Sequence, residues 1–260
     1  MAKARVDVLL IERGLADSRT QAQRLVMAGQ VRADGELILK PSTLLVTNVH
    51  LEINRGPAYV SRGGDKLAAA LAGFQMRVDG KVCADVGAST GGFTDCLLQN
   101  SASRVYAIDV GKGILHWKLR QDPRVVVLEE TNARYLEQLP EAVELVTIDV
   151  SFISLKVLLP VVKNWFAQPA DSLENVNANP TVIALIKPQF EAGRSEVAKG
   201  DGVIRNPEVH QRILDEVLEF ASSLGFETRG LIRSPLLGPK GNVEFLAWLE
   251  WTGEDSNHGF

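Results

Sequence analysis

A short apolar run that breaks into a glycine-rich turn constrains this chain more than any other feature. Val82-Cys83-Ala84-Asp85-Val86 runs directly into Gly87-Ala88-Ser89-Thr90-Gly91-Gly92-Phe93-Thr94, and a helical pattern follows through Leu97 and Leu98. Four apolar residues and one acid, ended by glycine, read as a short buried strand. A glycine turn between strand and helix lets a ligand approach the backbone closely, because no Cβ stands in the way. A dinucleotide site calls for Gly-x-Gly-x-x-Gly. The pattern here is Gly-x-Ser-x-Gly-Gly, which suits a nucleoside with an amino-acid tail better than a pyrophosphate.

The same alternation continues downstream. Val105 to Ile108 is a second strand and ends at Asp109, 22 residues past Gly87, where an acid accepts hydrogen bonds from a ribose diol. Val125 to Leu128 is a third, followed by Thr131-Asn132-Ala133-Arg134. Asn132 there reads equally as an adenine contact or a helix cap. Leu145 to Ile148 ends in Asp149, and Val182 to Ile186 ends in Lys187. Strands alternating with helices predict a parallel α/β sheet. Ligands of such sheets sit outside the strands' carboxyl ends, so Gly87, Asp109, Asp149 and Lys187 are expected along one edge. Asn206-Pro207-Glu208 opens a further helix that Gly225 ends. The last strand is expected over Val243 to Leu249, with Glu244 on the face opposite Val243 and Phe245.

The first 62 residues have another character. They hold nine basic and six acidic side chains, a balance of +3 within a chain of net charge −4. A basic module ahead of an acidic remainder points to phosphate contacts. Val6, Leu9 and Leu10 form the stripe of a short helix stopped by Gly14. Ser18-Arg19-Thr20-Gln21 reads as a capping box, and Ala22, Leu25 and Val26 face inward on the helix it opens. Gly29 fits a left-handed C-terminal position, and Asp34-Gly35 a hairpin turn. Pro and Gly in Asn54-Arg55-Gly56-Pro57 mark a linker. The expected organisation is a module over 1–56, a linker over 57–62 and a larger domain over 63–260.

Other classes find little support. No apolar run reaches the roughly 18 residues of a membrane helix; Leu145 to Val162 is broken by Asp149, Lys156 and Pro160. The first residues lead into no apolar leader segment. Cys83 and Cys96 have neither zinc nor redox spacing, and His50, His116, His210 and His258 are scattered, so no metal site is expected. Two reduced cysteines suit a cytoplasmic protein.

Several motifs together are similar to one family. Arg5, Ser18-Arg19 with Ala22, Ala28-Gly29 and Gly35 resemble the RNA-binding domain of ribosomal protein S4. Ser61-Arg62-Gly63-Gly64-Asp65-Lys66-Leu67, Asp85 to Thr94, Thr131 to Arg134, Lys187-Pro188-Gln189-Phe190-Glu191, Lys199 to Arg205 and Gly241-Asn242-Val243-Glu244-Phe245 resemble the hemolysin A (TlyA) family. That family joins the S4-like domain to an FtsJ-like ribosomal RNA 2′-O-methyltransferase. The resemblance implies a Rossmann-like α/β fold that uses S-adenosylmethionine, preceded by a small α+β S4-like domain, with ribosomal RNA in the ribosomal subunits as partner and no membrane. It also implies a Lys-Asp-Lys-Glu tetrad, which falls on Lys66, Asp149, Lys187 and Glu244. Asp85, Gly87, Ser89, Gly91, Gly92, Phe93, Asp109, Asn132 and Asp149 are then the cofactor candidates, and Arg5, Arg19, Arg24 and Arg62 the RNA contacts. Some members carry a tryptophan in the linker; Arg55-Gly56-Pro57-Ala58 has none. A nicotinamide-dependent oxidoreductase, an RNA-binding factor with a non-catalytic methyltransferase scaffold, and a hemolysin are the competing readings.

Overall fold

The computed structural model describes all residues except 1, 55, 167–178, 194–195, 198–199 and 254–260. The chain divides into two compact units, Met1–Ala58 and Tyr59–Phe260.

In the first unit, β1 (Lys3–Arg5) leads into α1 (Val6–Glu12), and α2 (Arg19–Met27) follows. The apolar stripe of α1 is buried as its spacing predicts: Val6, Leu9 and Leu10 join Ala22 and Val26 of α2 in one core. Strands β2 (Val31–Ala33) and β3 (Glu36–Ile38) form a hairpin across Asp34 and Gly35, both at positive φ, and β4 (Leu44–Val46) and β5 (Leu51–Ile53) complete the unit. β4 pairs with β1, and β5 with β2. The capping box differs in one partner. Gln21 N donates to Ser18 Oγ at 3.2 Å as expected, but Gln21 Oε1 accepts from Asp17 N at 2.7 Å, one residue before the cap.

Composition gives no hint that Asp7 lies at the centre of this unit. It is fully buried, and it accepts two bonds from Arg5 at 2.9 Å, one from Gln23 at 3.1 Å and one from Arg19 at 3.4 Å. The Arg5 guanidinium holds its carboxyl far below the usual carboxylate range. An acid whose folded pKa is depressed stabilises the fold above its unfolded value and loses that contribution as pH falls through the folded one. Asp7→Asn is therefore expected to weaken this unit by about 1–3 kcal/mol at pH 7. Faster hydrogen exchange confined to α1 and α2 checks this, and equal protection in the two proteins contradicts it.

The second unit begins with Tyr59 and Val60, within the expected linker. Tyr59 packs on α3 (Gly63–Gly73) so closely that a Cβ at Gly64 would lie 2.1 Å from its ring, and Val60 N donates to Asp95 Oδ2 at 2.9 Å. Then come β6 (Val82–Val86), α4 (Gly92–Gln99), β7 (Arg104–Ile108), α5 (Trp117–Arg120), β8 (Val125–Leu128), β9 (Leu145–Ile148), α6 (Leu155–Val162), β10 (Thr181–Ile186), α7 (Pro188–Glu191), α8 (Pro207–Ser223), β11 (Phe226–Arg233) and β12 (Phe245–Trp251). One seven-stranded sheet has the order β11-β12-β10-β9-β6-β7-β8. Five strands are parallel, as the alternation predicts; β12 runs antiparallel to its neighbour β10, and β11 antiparallel to β12. Leu67 of α3 and Leu97 of α4 pack on one face with Ile183 and Leu246. Leu158 of α6 and Val217 of α8 pack on the other with Val146 and Ala184. Cys83 and Cys96 are free and buried, and burial pushes the Cys96 thiol up to about 12.

Strand order reverses between β6 and β9, where helices leave the sheet to opposite faces. Such a switch point opens a crevice at the carboxyl edge. Gly87 and Asp149 are the first residues beyond the two strands that flank it.

Candidate active site

The glycines of the turn after β6 are steric requirements. Gly87 has φ +83°, and a Cβ there would lie 2.4 Å from the Asp149 carbonyl oxygen. Gly91 has φ +98°, and a Cβ would lie 2.2 Å from Leu119. At Gly92 it would meet Ser61 Oγ at 2.3 Å and Gly64 N at 2.8 Å. The turn is thus compressed between the β9 edge, α5 and the start of α3.

Asp85 does not line the crevice. It is fully buried beneath the turn, accepting from Thr94 Oγ1 at 2.6 Å and Thr147 Oγ1 at 3.1 Å. Of the cofactor candidates it is the one placed beneath the turn, on neither cavity wall, where it braces the N-terminal turn of α4 against β9. Burial raises its carboxyl to about 6, against the two hydroxyl bonds that pull it down. Between its ordinary value and about 6 the folded protein binds more protons at Asp85 than the unfolded chain does, so this group's contribution to stability falls as pH rises through that window. Asp85→Asn removes the dependence. The melting temperature of the variant relative to wild type is expected to be higher at pH 8 than at pH 5; a difference independent of pH contradicts the assignment.

Two cavities open at the edge. The smaller, ≈ 330 Å³, is lined by Asp109, Asn132, Val110 and Ile114 among others. Asp109 accepts from Ser89 N at 2.8 Å and from Gly111 N at 2.7 Å, so one carboxylate joins the glycine turn to the next loop. Asn132 stands both at a cap position and on the cavity wall. It caps the turn Ala133–Tyr135 by accepting from Arg134 N at 3.1 Å, and it lines the cavity. The wall between Val110 and Ile114 is held by Glu129, which accepts from the amides of Gly113 and Ile114 at 2.8 and 3.1 Å and pairs with Arg120.

The larger cavity, ≈ 750 Å³, contains all four residues of the expected tetrad. They form two ion pairs: Lys187 Nζ to Asp149 Oδ1 at 2.6 Å, and Lys66 Nζ to Glu244 Oε2 at 2.6 Å. Glu244 is completely buried, and its Oε1 has no hydrogen-bond partner among the described residues. Lys187 also donates to Val150 O at 2.8 Å and to Ser151 Oγ at 3.3 Å. Glu244 is not within the last strand, as alternation suggested; β12 begins one residue later. The register that pairs Ile186 with Phe245 carries Lys187 and Glu244 out of the sheet together. Gly87, Ser89, Asp149 and Ser151 line both cavities, so the cavities meet at Asp149.

The remaining expected residues are distributed. Gly92 and Phe93 line the larger cavity, and Gly91 lines neither. Arg62 lines the larger cavity, whereas Arg5, Arg19 and Arg24 belong to the first unit. Arg5 and Arg19 are engaged with Asp7, and Arg24 is exposed. His210 is buried with a ring nitrogen 2.9 Å from Ile204 O, and His116 caps α5; His258 lies outside the described residues. Sequence reasoning missed Ser151 and Phe152. Phe152 is 89% exposed at φ +66°, lines the smaller cavity and packs against Phe190 with centroids 4.9 Å apart and the rings tilted by 52°. A serine and a phenylalanine two and three residues after the strand-end acid Asp149 are the signal that was available.

A nucleoside-sized cavity joined at a switch point to a second cavity with paired lysines and carboxylates defines an α/β enzyme of the group-transfer class. Comparison with known proteins gives the family: residues 59–251 match the FtsJ-like methyltransferase family, to which the chain belongs, and residues 4–49 match the S4 domain. A Mycobacterium tuberculosis protein named 16S/23S rRNA (cytidine-2′-O)-methyltransferase TlyA is 46% identical over 253 residues, 95% of this chain and 90% of that one. Hemolysin A of Brachyspira hyodysenteriae is 37% identical over 246 residues, 94% and 98% of the two chains. A solved Streptococcus thermophilus structure that carries the hemolysin name has a TM-score of 0.70 and 44% identity, covering 97% of this chain and 90% of that one. Among the described residues, no helix is long and apolar enough to cross a membrane.

Proposed function

We propose that this protein transfers a methyl group from S-adenosylmethionine to the 2′-hydroxyl of a cytidine in ribosomal RNA, within the cytoplasm. The observation that carries the reading is the meeting of the two cavities at Asp149, with Lys187 held 2.6 Å from it. The smaller cavity fits the nucleoside of the cofactor: glycines that exclude Cβ atoms on one side, Asp109 for the ribose and Asn132 at the base position. When bound, S-adenosylmethionine supplies an electrophilic methyl on a sulfonium. A ribose hydroxyl is a weak nucleophile that must give up its proton as its oxygen takes the methyl, so the protein's task is to orient it, stabilise the alkoxide character of its oxygen and pass the proton through the Lys187–Asp149 pair to solvent. Lys187 does this. Asp149, Val150 O and Ser151 Oγ leave its ammonium little freedom, so the ordering is done before substrate arrives. Lys66 and Glu244 position the ribose, and the unpartnered Glu244 Oε1 is an acceptor for a donor that the substrate brings. The S4-like unit supplies RNA binding through Arg5, Arg19 and Arg24.

The test is transfer of radiolabel from S-adenosylmethionine to separated, undermethylated ribosomal subunits, with the label mapped by 2′-O-methyl-sensitive primer extension. Label at a cytidine ribose is the expected result. Label on a base, or in no RNA despite cofactor binding, overturns the reading.

A further inference from the structure

The larger cavity has a charge imbalance that its ion pairs do not absorb. Among the described residues, its charged lining side chains are Arg62, Lys66, Asp149, Lys187, Lys240 and Glu244. Lys66 with Glu244 and Lys187 with Asp149 cancel pairwise. Arg62 and Lys240 remain, both exposed. Arg62 has no side-chain partner among the described residues, and Lys240 Nζ reaches only the Asp201 carbonyl, at 3.4 Å.

Lys240 is also held in an unfavourable backbone conformation. It has φ +57° and ψ 14° within the turn Pro239–Gly241. A lysine in the left-handed region is sterically disfavoured, and such outliers persist only where their surroundings impose them. The surroundings here do so. Gly238 passes so close to Glu244 that a Cβ would lie 2.0 Å from Oε1. Asn242, 3% exposed, accepts from Ile204 N at 3.1 Å and donates to Gly202 O at 3.0 Å and Pro239 O at 3.1 Å. The turn is therefore tied to the cavity wall, and a lysine occupies a position that glycine or asparagine would fill with less strain.

We propose that Arg62 and Lys240 form a clamp for the two phosphodiesters that flank the target ribose. The inference rests on the reading that the acceptor is RNA. A 2′-hydroxyl inside a strand always arrives with a phosphate on each side, and each phosphate carries one negative charge. The paired tetrad offers these charges no net compensation; the two remaining cations do. Neither cation lines the smaller cavity, so both lie on the acceptor side. Arginine can grip one phosphate with two donors, and lysine serves the other as a point charge.

The test compares wild type with Arg62→Gln, Lys240→Gln and the double variant, measuring kcat, KM for RNA and KM for S-adenosylmethionine from 50 to 200 mM salt. The loss is expected in KM for RNA more than in kcat. The slope of log kcat/KM against log salt should flatten by about 1 for each single variant and about 2 for the double. Lys240→Gly separates charge from folding: it relieves the strained backbone and should melt no lower than wild type, yet lose as much RNA affinity as Lys240→Gln. An unchanged salt slope overturns the clamp. So does a rise in KM for S-adenosylmethionine with KM for RNA unmoved, which would assign the cations to the cofactor's carboxylate. If wild type methylates no RNA, the underlying reading falls and the clamp with it.

Discussion

Lys187→Ala is expected to lower kcat for methyl transfer by about 10³-fold while the protein still binds S-adenosylmethionine and still folds. The asymmetry follows from the placement of the group. Lys187 lines the larger cavity and not the smaller, so its removal spares the nucleoside site. The carboxylate it leaves behind, Asp149, is 21% exposed and can be hydrated, so the stability loss stays well below that of stranding a fully buried charge. Lys187→Arg is the sharper control. It restores a cation opposite Asp149, but a planar guanidinium cannot occupy the site of an ammonium that also reaches Val150 O and Ser151 Oγ. Single-turnover kinetics with saturating cofactor check both variants. A near-normal rate in Lys187→Ala removes the lysine from the mechanism.

Gly87→Ala should have an effect of similar size by a different route. The new Cβ would lie 2.4 Å from the Asp149 carbonyl oxygen and 3.1 Å from Val150, on a backbone at φ +83° that alanine rarely adopts. The obstacle is backbone, which cannot rotate away as a side chain can. The turn must shift, and with it the wall common to both cavities. We expect S-adenosylmethionine affinity to fall by at least about 100-fold, and stability by about 1–3 kcal/mol from the backbone strain. Calorimetric titration and thermal melting read the two separately. Binding within a few-fold of wild type would show that the turn has room that its geometry denies. Gly80 is the comparison: it too has positive φ, at +74°, but a Cβ there meets nothing within 4 Å, so Gly80→Ala should cost stability and leave cofactor affinity alone.

Much of this architecture was legible in local pattern. The stripe Val6-Leu9-Leu10, the hairpin at Asp34-Gly35 and the five parallel strands each follow from a short-range rule about spacing or backbone freedom. So does the alignment of Gly87, Asp109, Asp149 and Lys187 along one edge, because a strand-end residue in a parallel sheet can lie nowhere else. Three features depended on contacts between distant segments. The sequence shows Asp7 as one more charge on a helix, and only packing puts Arg5, Arg19 and Gln23 around it. Asp85 belongs to the same motif as the glycines, yet strand alternation beneath α4 turns it inward to Thr94 and Thr147.

Glu244 is the clearest division. Its chemical type is plain in the sequence, but its position depends on the direction of β12. That strand enters the sheet antiparallel, so its first residues lie at the edge where the parallel strands end, and Glu244 meets Lys66 across 178 positions of chain. Sequence by itself determined the elements, the glycine turn and the residue types of the site, since these follow from local backbone preference and side-chain periodicity. Tertiary structure alone decided which charges pair, which carboxylate is buried and which two cations are left over, since those depend on strand direction and on what surrounds each group after folding.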